Sequence, residues 1–263
     1  MSTGETVASQ PSGKRRSALP VILLVLVVLI GGGAAGFFLV YQPMVQAEKS
    51  KNNLQAIMAA VLKFHDDNKE LPSGLLLPRG SAIGPKTKVQ HFSWRVQILP
   101  NLGDEYRKLY DKFDLNQPWD SDHNLEVARQ MPDIFRSPHQ SPTTNHAGYL
   151  AIAGSEGAFP EGDQPLGRRG VSAATDGADQ TAAIIEVQDS SIIWTQPRDL
   201  TVDEFAELLE SGNLVGVAEI TTPSTWAGML DGSVRRLAKG LPAATARALA
   251  TRAGKDKAEL PGE

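Results

Sequence analysis

Apolar positions follow three different patterns along the chain. Over residues 19–40 they are continuous: LPVILLVLVVLIGGGAAGFFLV is 22 residues without a charge. As a helix this run spans ~33 Å at 1.5 Å per residue, about the thickness of a bilayer's hydrocarbon core. A soluble core helix of that length would carry a polar stripe, and this run has none. Pro20 falls in the first turn, where a missing N–H costs nothing. Tyr41 follows at the expected far interface, and Pro43 marks a break. In the second pattern Leu54, Ile57, Met58, Val61, Leu62 and His65 recur at spacings of three and four. Lys51, Asn52, Lys63, Asp66 and Asp67 fill much of the opposite face. This predicts an amphipathic helix over residues 44–68, ending before Leu71-Pro72-Ser73-Gly74. In the third, residues 148–153, 181–187, 214–220, 226–230 and 233–237 are short apolar or β-branched runs and predict strands.

Between these stretches the signals are local. Residues 72–90 are rich in Pro, Gly and Lys and predict an irregular loop. Short helices are predicted over 93–102, 104–112 and 120–131, the last with Ser121 as its cap. Residues 202–211 predict a helix capped by Thr201, with Asp203 and Glu204 in its first turn and Gly212 beyond its end. Residues 241–253 predict a terminal Ala/Arg helix. Asp231-Gly232 predicts a two-residue type I′ hairpin turn.

The expected fold class is α+β: an N-terminal transmembrane helix, then a long amphipathic helix packed on a mostly antiparallel β-sheet. The expected division is a disordered cytoplasmic tail over 1–17, a transmembrane helix over 18–41, an exported α+β domain over 42–254 and a frayed tail over 255–263. A cleaved signal peptide is the competing reading of the apolar run, with Ala34-Ala35-Gly36 as its small-residue site. The run continues through Phe37, Phe38, Leu39 and Val40, which favours an uncleaved anchor. Lys14, Arg15 and Arg16 precede it, and Glu48, Lys49 and Lys51 follow. That asymmetry favours a cytoplasmic N-terminus and an extracytoplasmic domain at the inner membrane. Gly32 and Gly36 form a G-x-x-x-G that fits a helix dimer face, although glycine is common in membrane helices generally.

Composition narrows the chemistry. Net charge is −4, and residues 1–17 contribute +2 of it, leaving −6 on the remainder, so no nucleic-acid partner is expected. The absence of cysteine excludes disulfides, thiolate catalysis and Cys-ligated metals. Asp120-Ser121-Asp122-His123-Asn124 opens like a calcium loop, but positions six and twelve are Leu125 and Met131, not glycine and glutamate. Asp176, Asp179 and Asp189 are candidates to gather at one end of the sheet, with turn formation as the plainer reading. His65 is expected to be packed. Ser93, Ser155 and Ser224 lack a nucleophile elbow. Trp94, Trp119, Trp194 and Trp226 fit either core packing or a sugar- or peptide-binding cluster, with packing favoured. No catalytic, cofactor-binding or metal-ligating residue is predicted, and the chain is not expected to be an enzyme.

Seven blocks in order resemble a family of planctomycete pilin-like proteins of unknown function with a C-terminal H-x9-DG motif. They begin with Ser50-Lys51-Asn52-Asn53-Leu54-Gln55-Ala56-Ile57, then Phe64-His65-Asp66 with Leu71-Pro72, then Ser93-Trp94-Arg95-Val96 with Leu99-Pro100. Pro118-Trp119-Asp120-Ser121 with Asn124 and Asp176-Gly177-Ala178-Asp179-Gln180-Thr181 follow. Trp194-Thr195-Gln196-Pro197-Arg198-Asp199-Leu200 and Asp231-Gly232-Ser233-Val234 complete the set. The resemblance implies a pseudopilin-like fold and no activity. Thr221 stands where the motif has histidine, and Ser50 and Ser137 stand where the family has its two cysteines. Their joint replacement implies that Ser50 and Ser137 lie close, with Cα atoms within ~7 Å. The apolar segment lacks a pilin leader's acidic residue, so prepilin processing is not expected. The expected role is structural, at the cell envelope. The expected partners are the bilayer through residues 19–40 and an envelope protein or a second copy. The alternatives are an anchored binding module for a small ligand, sugar or peptide, and a hydrolase.

Overall fold

Helix α1 (Gln42–Asn68) is the longest element, 27 residues, and it buries Ser50, Leu54, Ile57, Met58, Ala60 and Val61. Pro43 lies in its first turn, where no hydrogen bond is lost. Its last turn is closed by Asn68 Nδ2 donating to the Phe64 carbonyl at 2.8 Å. Lys69 then turns the chain with φ of 64°, the left-handed conformation common just past helix ends. The structure is a computed structural model that describes residues 41–72, 75–76, 90–159 and 170–255. The chain divides into two compact units, Met1–Val45 and Gln46–Glu263, and the fold below is that of the second. The expected tail over 1–17 lies outside the described residues, as does the expected membrane helix except for Tyr41. No helix among the described residues is long and apolar enough to cross a membrane.

A four-stranded sheet runs β3 (Tyr149–Ala151), β4 (Ala182–Glu186), β8 (Ser224–Met229), β9 (Val234–Ala238), antiparallel throughout. All five residues of β4 are buried, as a central strand covered on both faces requires. On one face lies α1. A Cβ on Gly228 would sit 2.6 Å from Met58 Cγ, so glycine is what lets the helix come this near to β8. On the other, α7 (Ala243–Ala250) packs against β4 and against α6 (Val202–Ser211). Helix α6 starts as predicted: Thr201 and Glu204 form a reciprocal capping box, and Gly212 ends the helix at φ 80°.

Four short helices, α2 (Trp94–Gln97), α3 (Leu99–Leu102), α4 (Asp104–Tyr110) and α5 (Asp122–Ala128), precede the sheet. The single element predicted over 93–102 is therefore two helices. They meet at Ile98, just before Pro100, whose ring and missing N–H prevent a continuous helix. Ser121 caps α5 by accepting from the Asn124 N–H.

Three expectations about strands change. The run 214–220 is not one strand. It folds back as β6 (Asn213–Leu214) and β7 (Ala218–Glu219), with Gly216 at φ 72° in the turn. With β5 (Asp189–Ser190) these form a separate three-stranded antiparallel sheet, order β5-β7-β6. A further pair is β1 (Leu75–Leu76), inside the segment 72–90 predicted as a loop, and β2 (Gln90–His91), at its end. The β8–β9 turn is also not type I′. That turn needs positive φ at both central residues, and Asp231 does not have it; Gly232 does, at φ 93°. Met229 closes the turn by accepting from the Gly232 N–H and donating to the Ser233 carbonyl, a three-residue loop with a glycine bulge. Leu230 is buried and Asp231 caps the loop by accepting from Ser233 N and Oγ.

Candidate functional site

The first polar centre sits between α1 and the sheet. Glu186 ends β4 and is 1% exposed. Strand alternation turns it, with Ile184, toward α1. Ser50 Oγ and Ser137 Oγ each donate to Glu186 Oε1 at 2.7 Å. The two hydroxyls therefore lie no further apart than twice that distance, and both serines are fully buried. The family resemblance implies Cα atoms within ~7 Å; the structure brings the two side chains onto one carboxylate oxygen. Ser137 belongs to the turn after the 3-10 helix Asp133–Phe135, and its Oγ accepts from the His139 N–H at 3.3 Å. Tyr149, paired with Glu186 across β3–β4, donates to the Ser50 carbonyl at 3.4 Å. Thr225 on β8 donates to the Glu186 carbonyl at 2.8 Å. Burial pushes the Glu186 carboxyl up, and the two serine hydroxyls pull it part of the way back. Burial and then the Glu186 charge hold the Tyr149 phenol well above its usual range. Asn53 Nδ2 and Gln140 Nε2 are buried without a partner among the described residues.

The second centre joins two of the blocks. Asp199 Oδ1 accepts from Arg95 Nη2 at 2.7 Å, from Trp94 Nε1 at 3.1 Å and from the Ala151 N–H at 2.8 Å. Arg95, whose side chain is fully buried, also donates to the Tyr149 carbonyl from Nε (2.9 Å) and Nη2 (2.6 Å), and to Ser93 Oγ at 2.7 Å from Nη1. Burial pushes the guanidinium down and the carboxyl up, and each partner offsets part of the other's shift. The pair thus ties α2 to β3 and to the segment leading into α6. Around it, Trp94 meets Phe135 edge-to-face and Phe159 at a tilt, while Trp194 meets Phe113 edge-to-face and stacks on Phe135. Trp194 Nε1 donates to the Ala128 carbonyl at 2.7 Å. Two of the four tryptophans are therefore core, while Trp119 and Trp226 are half-buried, the latter beneath Lys51 Nζ at 6.0 Å.

The remaining candidates are dispersed. In the calcium-like run, Asn124 is committed to a loop clamp. Its Oδ1 accepts from the Asp114 N–H at 3.0 Å, and its Nδ2 donates to the Asp114 and Pro118 carbonyls at 3.0 and 2.8 Å. Asp176, Asp179 and Asp189 do not form a carboxylate group. Asp176 accepts from the Gly254 and Lys255 N–H groups, Asp179 from Gln180, and Asp189 belongs to the separate β5-β7-β6 sheet. The chain expected to fray from residue 255 is thus held at Lys255, and residues 256–263 lie outside the described residues. His65 is 22% exposed and accepts at Nε2 from the Val171 N–H at 3.4 Å, a packed histidine. Thr221, in the place of the motif histidine, donates its N–H to Gln188 Oε1. Ser93 carries the Arg95 contact, and Ser224 Oγ accepts from Arg236 Nε at 2.6 Å.

The described residues form surface cavities. One of about 310 Å³ is lined by residues that include His146, Asp189, Asn213 and Glu219. Another of about 370 Å³ is lined by residues that include Ser155, Glu156, Thr175 and Arg252. Neither has a tryptophan in its wall.

Sequence reasoning did not single out Glu186, Arg95 or Asp199 as a site. A signal existed for two of them. Glu186 is the one charge inside TAAIIEV, and Arg95 sits inside an apolar segment with two aromatic neighbours, Phe92 and Trp94. A charge in such a place must be paired or hydrogen-bonded.

No curated protein and no solved structure matches the chain. The model of one protein family, described as "Protein of unknown function (DUF1559)", matches residues 47–201, more than half of the chain. That span holds Ser50, Arg95, Ser137, Glu186 and Asp199, and the chain belongs to this DUF1559 family of proteins of unknown function.

Proposed function

We propose that this chain is a non-enzymatic, membrane-anchored protein whose exported domain has a structural or interaction role at the cell envelope. One observation carries the reading: the polar groups of the sequence blocks are spent on internal locks between distant segments. Ser50 of α1, Ser137 and Glu186 meet on one carboxylate oxygen, and Ser93, Trp94 and Arg95 meet Asp199. Such locks make a body that holds its shape on the helix following the apolar run of residues 19–40. Ser50, Ser137, Glu186 and Arg95 are all buried, which leaves neither the hydroxyls nor the carboxylate open to a substrate. The long helix leaning on an antiparallel sheet supports the finer reading of a pilin-like body, akin to the planctomycete H-x9-DG proteins. Thr221 in the histidine position argues against a ligand site at that motif.

The binding-module reading draws on the two cavities. A sugar site would be expected to offer aromatic faces, and these walls lack tryptophan.

Alkaline carbonate extraction of membranes from cells expressing the full chain tests the anchor. The account predicts that the chain stays in the pellet and leaves only with detergent. Release by carbonate alone would overturn it.

A further inference from the structure

Along its outward side α1 changes character within one turn. Tyr41, Met44, Val45, Glu48 and Asn52 follow the i, i+3, i+4 spacing that aligns one side of a helix. All five are exposed. The opposite side carries the buried Ser50, Leu54, Ile57, Met58 and Val61. On the outward side the first three positions are large and apolar, exposed by 58%, 66% and 47%. From Glu48 to Ala59 the same side continues with Asn52, Gln55, Ala56 and Ala59, none of them large and apolar. Among the described residues the other exposed large hydrophobic side chain is Val215, at the tip of the β6–β7 hairpin.

We propose that Tyr41 and the first turn of α1, up to Val45, are seated in the head-group region of a lipid bilayer, with the boundary to water between Val45 and Glu48. The inference rests on the membrane-anchored reading and adds to it where the lipid ends. Three observations favour lipid over a protein partner. The apolar positions follow directly on the charge-free run of residues 19–40. They stop within one turn, which is how a helix leaving a membrane changes, whereas a helix–helix seam would continue along the same side. Exposed Lys49 follows at once, where a long cationic side chain reaches back to phosphate groups.

The chain has no cysteine, so single thiols report cleanly. Met44→Cys, Val45→Cys, Glu48→Cys and Asn52→Cys are each made in the full chain and labelled with an environment-sensitive fluorophore. The labelled chains are reconstituted into vesicles of phosphatidylcholine and phosphatidylglycerol. The proposal predicts blue-shifted emission at positions 44 and 45, quenching there by head-group nitroxide lipid, and protection from a water-soluble quencher. Position 52 shows the reverse, and position 48 lies between. If vesicles float with the chain while positions 44 and 45 behave like position 52, this inference fails and the anchored reading stands. If the chain does not float with vesicles, the anchored reading itself fails and takes the inference with it. A blue shift that nitroxide lipid does not quench, and that grows with the protein-to-lipid ratio, places a second copy on this face and overturns lipid as its occupant.

Discussion

Asp199→Ala removes the acceptor shared by Arg95, the Trp94 indole N–H and the Ala151 amide. Arg95 keeps the Tyr149 carbonyl and the Ser93 hydroxyl but loses its counter-charge, with its side chain 0% exposed. Breaking a buried ion pair from one side costs about 3–5 kcal/mol, because a charge is left in a low-dielectric site. That is a large part of the ~5–15 kcal/mol by which a folded domain is stable. At roughly 2–4 °C per kcal/mol for a domain of this size, the melting temperature falls by about 6–20 °C. Asp199→Asn keeps an acceptor for Trp94 and Ala151, so its loss reports the charge alone. In Arg95→Met with Asp199→Asn no charge remains buried, and the double variant loses less than the sum of the two singles by about 1 kcal/mol or more. Equilibrium urea unfolding of the full chain in detergent micelles measures this through tryptophan emission, since Trp94 and Trp194 are buried. A loss under about 1 kcal/mol in Asp199→Ala, or strict additivity in the double variant, would refute the assignment of this pair as a lock.

Glu186 gives the pH dependence. Burial raises its folded pKa above the unfolded value, so folding takes up a proton. The stability this group contributes is complete below the unfolded pKa of about 4.3 and is lost as pH rises through the folded value. Glu186→Gln keeps an acceptor for Ser50 and Ser137, and its stability-versus-pH curve is flatter over that window; parallel curves for variant and wild type would count against the buried carboxyl. Gly228→Ala drives a methyl against Met58 Cγ and Sδ at 2.6 and 2.7 Å, and is expected to cost about 1–3 kcal/mol in the same unfolding assay, with no loss if α1 does not lie there. Ser50→Cys with Ser137→Cys closes a disulfide on mild oxidation, read as the disappearance of both titratable thiols. Two thiols that stay free under oxidant would show the pair to be misplaced.

Much of the scaffold was legible in the sequence because it rests on local, periodic signals. The α1 stripe, the capped helix at Thr201 and the apolar strands at 149–151 and 182–186 each carry their own pattern. What was not legible depends on distant partners. The run 214–220 has strand composition throughout, and only Gly216 hints that it folds back on itself. Asp-Gly suits more than one hairpin turn, and burial of Leu230 together with the Asp231 cap selected the longer loop. The proximity of Ser50 and Ser137 came from the family resemblance, since nothing in spacing alone joins residues 87 apart in a 263-residue chain. Glu186 and Asp199 were invisible as centres because an isolated acid in a sequence does not show which hydroxyls or guanidinium will surround it.

Protease treatment of whole cells and of spheroplasts, each expressing the full chain, tests the account most directly. The account predicts that the domain after residue 46 is cut only when the enzyme reaches the outer side of the inner membrane, while an epitope placed in residues 1–17 is protected in both. A domain that stays intact in spheroplasts and is digested only after lysis would contradict it.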